Sequence, residues 1–170
     1  MKYAIIENGK VANVALADEP LAGNWVASEV AQIGWLYDGE TFTRPPAPAA
    51  TDADVNAERT RRLEVGSAFT VAGVADPIPL QGREFDRTVY LALLTRAQGY
   101  KAAGVTDPVL NIRAADDVTH NLTPDQMISL VTQSMNWFEA VMAVSWAMKD
   151  GTGDFPEGIP ADYADDTHWP

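Results

Sequence analysis

The stretch from Thr123 to Gly151 constrains this chain more than any other, because it carries every local signal a long helix needs. Thr123 is placed to cap the helix, Pro124 sits where a missing N–H costs nothing, and Gln126 can complete a capping box. Asp125 in the first turn and Lys149 in the last each meet the favourable end of the helix dipole. Gly151 supplies a stop. Between these ends Met127, Leu130, Val131, Ser134, Trp137, Phe138, Val141, Met142, Ser145 and Trp146 recur at three- and four-residue spacing. Ile128, Met135, Val144 and Met148 widen the stripe, so the sequence predicts a helix covered on most of its girth. Ser129, Ser134 and Ser145 read as small packing positions along it. Trp137, Phe138 and Trp146 read as core rather than as a stacking platform for bases or sugars.

The rest of the chain alternates between short strands and helices. Tyr3–Ile6 and Val11–Leu16 flank Asn8-Gly9, the dipeptide that favours a type I′ hairpin turn. A second hairpin runs through Gly34–Tyr37, Asp38-Gly39 and Glu40–Thr43. Trp25, Trp35, Tyr37 and Phe42 are many aromatics for so small a sheet. They either cover one face of the module or meet another chain. Residues 45–54, with Pro45, Pro46 and Pro48, read as an extended linker that separates a module at 1–44 from a domain at 55–150. In that domain Asp54 is expected to cap a helix from Val55 to about Gly66. Strands follow at Ser67–Ala72 and Ile78–Leu80. A helix from about Arg87 to Ala103, capped by Asp86 and stopped by Gly104, presents Val89, Tyr90, Leu93, Leu94 and Ala97. A hairpin of Val109–Arg113 and Val118–Leu122 then leads into the long helix. The fold class expected is α+β: a small antiparallel hairpin module, a Pro-rich linker and a helix-rich domain with short hairpins.

Residues 151–170 are acidic, rich in Gly, Pro and Asp, and without period, a composition that alone would stay disordered. Phe155, Ile159, Tyr163 and Trp169 interrupt it, and suggest an arm held by the body of the chain or by a neighbour.

Charge narrows the partners. The chain has 24 carboxylates against 12 basic residues, a formal net charge of −12, which disfavours a nucleic-acid binder. The basic knot Arg59, Arg61 and Arg62 lies beside Glu58 and Glu64 and reads as an exposed mixed-charge helix face. With no cysteine there are no disulfides or thiolate metal sites. Met1–Asn8 is too soon interrupted by charge to predict a signal peptide, and no apolar run is long enough to predict a membrane span.

Catalytic patterns are wanting. His120 lies on a predicted strand and His168 in the tail, neither with a second histidine at ligand spacing. Asp116 and Asp117 occupy a hairpin turn, where aspartate is favoured for backbone reasons. Asp162, Asp165 and Asp166 lack the alternation of a calcium loop. No nucleophile elbow, P-loop or dinucleotide glycine signature occurs. The expectation is a non-enzyme, with no catalytic, cofactor or metal residues and no cofactor.

Two stretches resemble known proteins. Met1–Val14, together with the G-W-x-Y-D-G-x-x-F run of Gly34–Phe42, resembles the opening of small tail-fibre-region proteins of tailed bacteriophages and prophages. Ala114–Met127 is similar to the strand-to-helix passage of a phage-encoded family of unknown function, with Asp117 where that family commonly has Asn. The last twenty residues match neither. The resemblance implies a structural virion protein of the tail tip or fibre region, made in the host cytoplasm and located in the virion. Its partners would be other tail proteins and copies of itself, with a host surface receptor as a further candidate, and it transfers no catalytic residue. An assembly chaperone that leaves the finished fibre and a glycan-binding tip protein are the alternatives. Trp25, Trp35, Tyr37, Phe42, Phe155, Tyr163 and Trp169 are the interaction surface expected under this reading.

Overall fold

The computed structural model describes residues 1–170, which divide into two compact units, Met1–Ala49 and Ala50–Pro170. The division falls inside the proline-rich stretch.

In the first unit β1 (Lys2–Glu7) and β2 (Lys10–Leu16) pair antiparallel, with Asn8 at φ 51° and Gly9 at φ 72° as the turn chemistry requires. The register shifts between Ile5 and Ile6, a bulge that bends the ribbon. Beyond the expected hairpins, β3 (Trp25–Ala27) pairs with β1, a strand too short to announce itself by alternation. β4 (Leu36–Tyr37) and β5 (Phe42–Thr43) form the second hairpin, and the five strands lie in the order β3-β1-β2-β4-β5. β4 meets β2 at one ladder pair, Lys10 and Leu36, with backbone bonds from Val11 to the Trp35 carbonyl and from Tyr37 to the Gly9 carbonyl on either side. The buried centre of this unit is small: Ala4, Val11 and Ala31, flanked by Ile6, Val14, Trp35 and Phe42.

The second unit begins with α1 (Asp52–Val65), followed by β6 (Ser67–Phe69) and β7 (Ile78–Leu80). Next come α2 (Glu84–Ala102), the hairpin β8 (Leu110–Arg113) and β9 (Thr119–Leu122), and α3 (Pro124–Asp150). α3 is the hub, packed against α1, α2, β6 and β9. Its capping box is complete: the Thr123 side chain accepts from the Gln126 backbone N–H, and the Gln126 side chain accepts from that of Thr123. Gly151 closes it in the left-handed region at φ 64°.

Two apolar clusters share α3. Its first half supplies Met127, Leu130 and Val131 to a core with Phe69, Ile78, Leu80, Tyr90, Leu110 and Leu122. Its second half supplies Val141 and Met148 to a core with Val55, Leu63 and Trp169. Trp137 touches both clusters and sets its ring edge-on to Phe69 at 6.3 Å between centroids. Gly66 makes the tight joint between α1 and β6. Its φ is 81°, and a Cβ there would stand 2.0 Å from the Leu80 carbonyl oxygen.

Element ends depart from expectation in instructive ways. α1 starts at Asp52 rather than Val55, because Thr51 is the cap and Asp54 the third helical residue of a capping box. The linker is correspondingly shorter. α2 starts at Glu84 rather than Arg87. Asp86 is no cap; its carboxylate pairs with Arg83 at 3.0 Å, and the cap position Arg83 makes no side-chain capping bond. β6 stops at Phe69 rather than Ala72, where pairing with β7 ends. Trp146 leaves the expected stripe and is 51% exposed, since no element covers that side of α3.

Candidate functional site

Of the first unit's aromatics Trp25, Trp35, Tyr37 and Phe42 are half-buried and Tyr3 is buried, so none stands free. Trp25 pairs with Ile5 across the β1–β3 ladder and lies against Tyr3, 6.0 Å between ring centroids. Tyr37 faces Phe42 across the β4–β5 pair and stacks on it at 4.6 Å, and Trp35 packs on the small core. The second turn is held by Asp38. Its carboxylate accepts from the Glu40 and Thr41 backbone N–H groups at 2.9 and 2.8 Å. Those bonds, with Thr41 first, hold its carboxyl below the usual aspartate range. The side chains that reach solvent are instead aliphatic: Leu16, Leu21, Val30 and Ile33 are each more than 60% exposed. The open strands at the sheet's margins are β3 and β5.

Of the two holders expected for the tail's aromatics, the structure shows the body of the chain. Residues 151–170 wrap back onto α1 and α3 as a strap, and Trp169 is 7% exposed in the second core cluster. It is therefore no open docking residue; the body of the chain itself holds it. Phe155, Ile159 and Tyr163 are half-buried on the same cluster, so their apolar surface also serves this chain first. The Trp169 indole donates to the Tyr163 carbonyl at 2.7 Å, and the Trp137 indole donates to the Pro170 carbonyl at 3.2 Å. A 3-10 turn at Asp166–His168 is capped by Asp165, which accepts from the Thr167 N–H at 2.8 Å.

Within the basic knot Arg62 belongs to the same clamp rather than to a solvated face, while Arg61 stays exposed and Arg59 points elsewhere. Arg62 lies 5.0 Å over the Trp169 ring and donates to the Ala164 carbonyl at 2.9 Å and to Asp166 at 2.8 Å. Behind it Glu58 accepts from Arg61 and Arg62. With side chains only 9% and 11% exposed, Glu58 and Arg62 form an inward ion pair. The Arg61 hydrogen bond, ahead of the attraction to both arginines, lowers the Glu58 pKa against the opposing effect of burial. The local spacing of Glu58, Arg61 and Arg62 predicts their pairing. Nothing local predicts that the strap, about a hundred residues on, covers it.

The remaining titratable candidates are taken up by structure. His168 meets Asp162 at 3.1 Å and packs edge-on to Phe155. Asp116 accepts from the Val118 N–H at 3.0 Å, and Asp117 occupies the left-handed position of the turn at φ 64°. His120 is half-buried on β9, facing Ile112, and its Nε2 has no hydrogen-bond partner within the chain. Tyr90 has its pKa pushed up to about 12, chiefly by burial and then by the nearby Asp86. No helix is long and apolar enough to cross a membrane.

A five-stranded module followed by an α3-centred domain whose strap completes its core defines a two-unit α+β protein. The chain belongs to the DUF4376 family, a domain of unknown function, whose sequence profile matches residues 46–166. That match takes in α1 through the start of the 3-10 turn, so most of the strap is part of the family's domain. No curated protein and no solved structure matches the chain.

Proposed function

We propose that this protein is a structural component of a tailed-bacteriophage or gene-transfer particle, placed in the virion at the tail tip or fibre region. It acts there by docking to other tail proteins and to copies of itself. The observation that carries the docking part is the make-up of the first unit. A core of three fully buried residues stands beside four aliphatic side chains left in solvent and two open strand margins. So small a core supplies little stability by itself, and exposed aliphatics with unpaired strand edges suit a partner that adds a strand. The particle itself enters through the resemblance of Met1–Val14 and Gly34–Phe42 to tail-fibre-region proteins.

Mass spectrometry of purified particles tests the proposal. Finding the chain at a fixed ratio to a known tail protein supports it, and its absence from particles made in cells that express it rules it out in favour of a chaperone that departs. A glycan-binding tip is less well served by the geometry, because Trp25, Trp35, Tyr37 and Phe42 spend much of their surface on one another and on the small core.

A further inference from the structure

In the second unit four Arg and Lys side chains pair with no carboxylate: Arg96 and Lys149, which donate to the Tyr100 hydroxyl and the Asn56 amide oxygen, and Arg59 and Arg87, which share one cleft. Arg61, Arg62, Arg83 and Arg113 all pair with carboxylates. Arg59 and Arg87 pair with none, although the chain has twice as many carboxylates as basic groups. Both are half-buried and both line one cleft of about 460 Å³ between α1, α2 and α3. The Arg87 guanidinium lies 4.6 Å over the Phe138 ring, and its Nε is buried with no hydrogen-bond partner within the chain. Arg59 makes one long contact, Nη1 to the Ser145 hydroxyl oxygen at 3.5 Å. Leu63, Phe138 and Met142, each buried or half-buried, supply the apolar part of the wall. Glu64 and Glu84 line the exposed rim and bond to neither Arg59 nor Arg87, while Arg83 on the same rim is paired with Asp86.

A guanidinium held flat on an aromatic ring keeps its planar edge of N–H donors ready for a carboxylate, with little rotamer freedom left to lose. Partial desolvation makes such a bond stronger than one in open water. The two rim glutamates repel a dianion more than a monoanion, and an apolar wall offers a strongly hydrated phosphate nothing. We propose that this cleft binds a monocarboxylate borne on an apolar body, the carboxylate bridging Arg59 and Arg87 and the body lying on Leu63, Phe138 and Met142. Such a group comes either as a free organic acid or as a glutamate flanked by leucines on a partner polypeptide. The proposal is independent of the virion assignment.

The test is calorimetric titration of the full chain with hexanoate, acetate, inorganic phosphate and a short Leu-Glu-Leu peptide with blocked ends. Arginine Nε–Hε NMR signals are followed in parallel. Saturable binding of hexanoate assigns a free acid, and tighter binding of the peptide assigns a protein-borne carboxylate. Either must shift the Arg87 signal, and hexanoate should bind about tenfold or more tighter than acetate. Arg87→Lys keeps the charge but loses the fork, and should weaken binding by about tenfold. Arg59→Gln serves if Arg87→Lys does not fold. Arg96→Gln, a cation outside the cleft, should leave binding unchanged. Absence of binding by both hexanoate and peptide, phosphate binding as tightly as hexanoate, or undiminished binding by a folded Arg59→Gln or Arg87→Lys variant overturns the assignment.

Discussion

At Gly66 the chain turns from α1 into β6 with no room for even one extra carbon. The left-handed φ and the 2.0 Å approach of the Leu80 carbonyl act together, and the obstructing atom is backbone. Gly66→Ala should therefore cost more than a strained turn alone, at least about 2 kcal/mol in urea unfolding. By contrast Gly99, which has open space around its would-be Cβ within α2, should tolerate alanine and gain up to about 1 kcal/mol. Glu58 offers a residue-level pH handle. Its folded-state pKa is depressed by Arg61 and Arg62, so the stability it contributes is present above the ordinary glutamate pKa. That contribution is lost as pH falls through the lower folded value. Wild type should thus lose stability more steeply than Glu58→Gln on acidification below pH ~4.3, read as the difference between their thermal midpoints.

At the scale of elements, the strap is the part whose removal is most informative. Trp169 fills the second core cluster and is pinned by Arg62 above and the Tyr163 carbonyl at its indole nitrogen. Trp169→Ala should destabilise the second unit by about 3–5 kcal/mol, a core-sized loss, in denaturant unfolding. A solvated docking arm would show almost none. The long helix was legible in sequence to the residue because its cap, its proline and its terminal glycine are all local signals. α1 and α2 were legible as helices but not at their starts: Thr51 competes with Asp54 for the cap, and the cap position of α2 is Arg83, whose side chain makes no capping bond. β3 was missed because three residues carry no period, and its pairing with β1 is set by a loop of intervening turns. The burial of Glu58 and Arg62 was missed for the same kind of reason. Their spacing announces an ion pair, but the strap that shuts water from it is remote in sequence.

For the molecule as a whole, the two units have separate cores on either side of a proline-rich connection. Residues 50–170 should fold without residues 1–49, giving a dispersed NMR spectrum and the same unfolding midpoint as the second unit in the full chain. Loss of structure in that fragment would show the units to be one cooperative body. Net charge acts at this scale too. With a sequence pI of about 4.4, the net negative charge opposes non-specific association at neutral pH, and solubility should pass through a minimum near that value.

The order in which the chain is made gives the strap a further meaning. Val141 and Met148 emerge from the ribosome before Phe155, Tyr163 and Trp169, yet these later residues roof the hollow the earlier ones help to line. Until they arrive, the nascent domain carries a greasy face that is exposed by necessity rather than by purpose. Translation that stalls or terminates near Asp150 should thus leave a product prone to clumping, and the second cluster closes only when residues 151–170 have been added, not when the long helix forms.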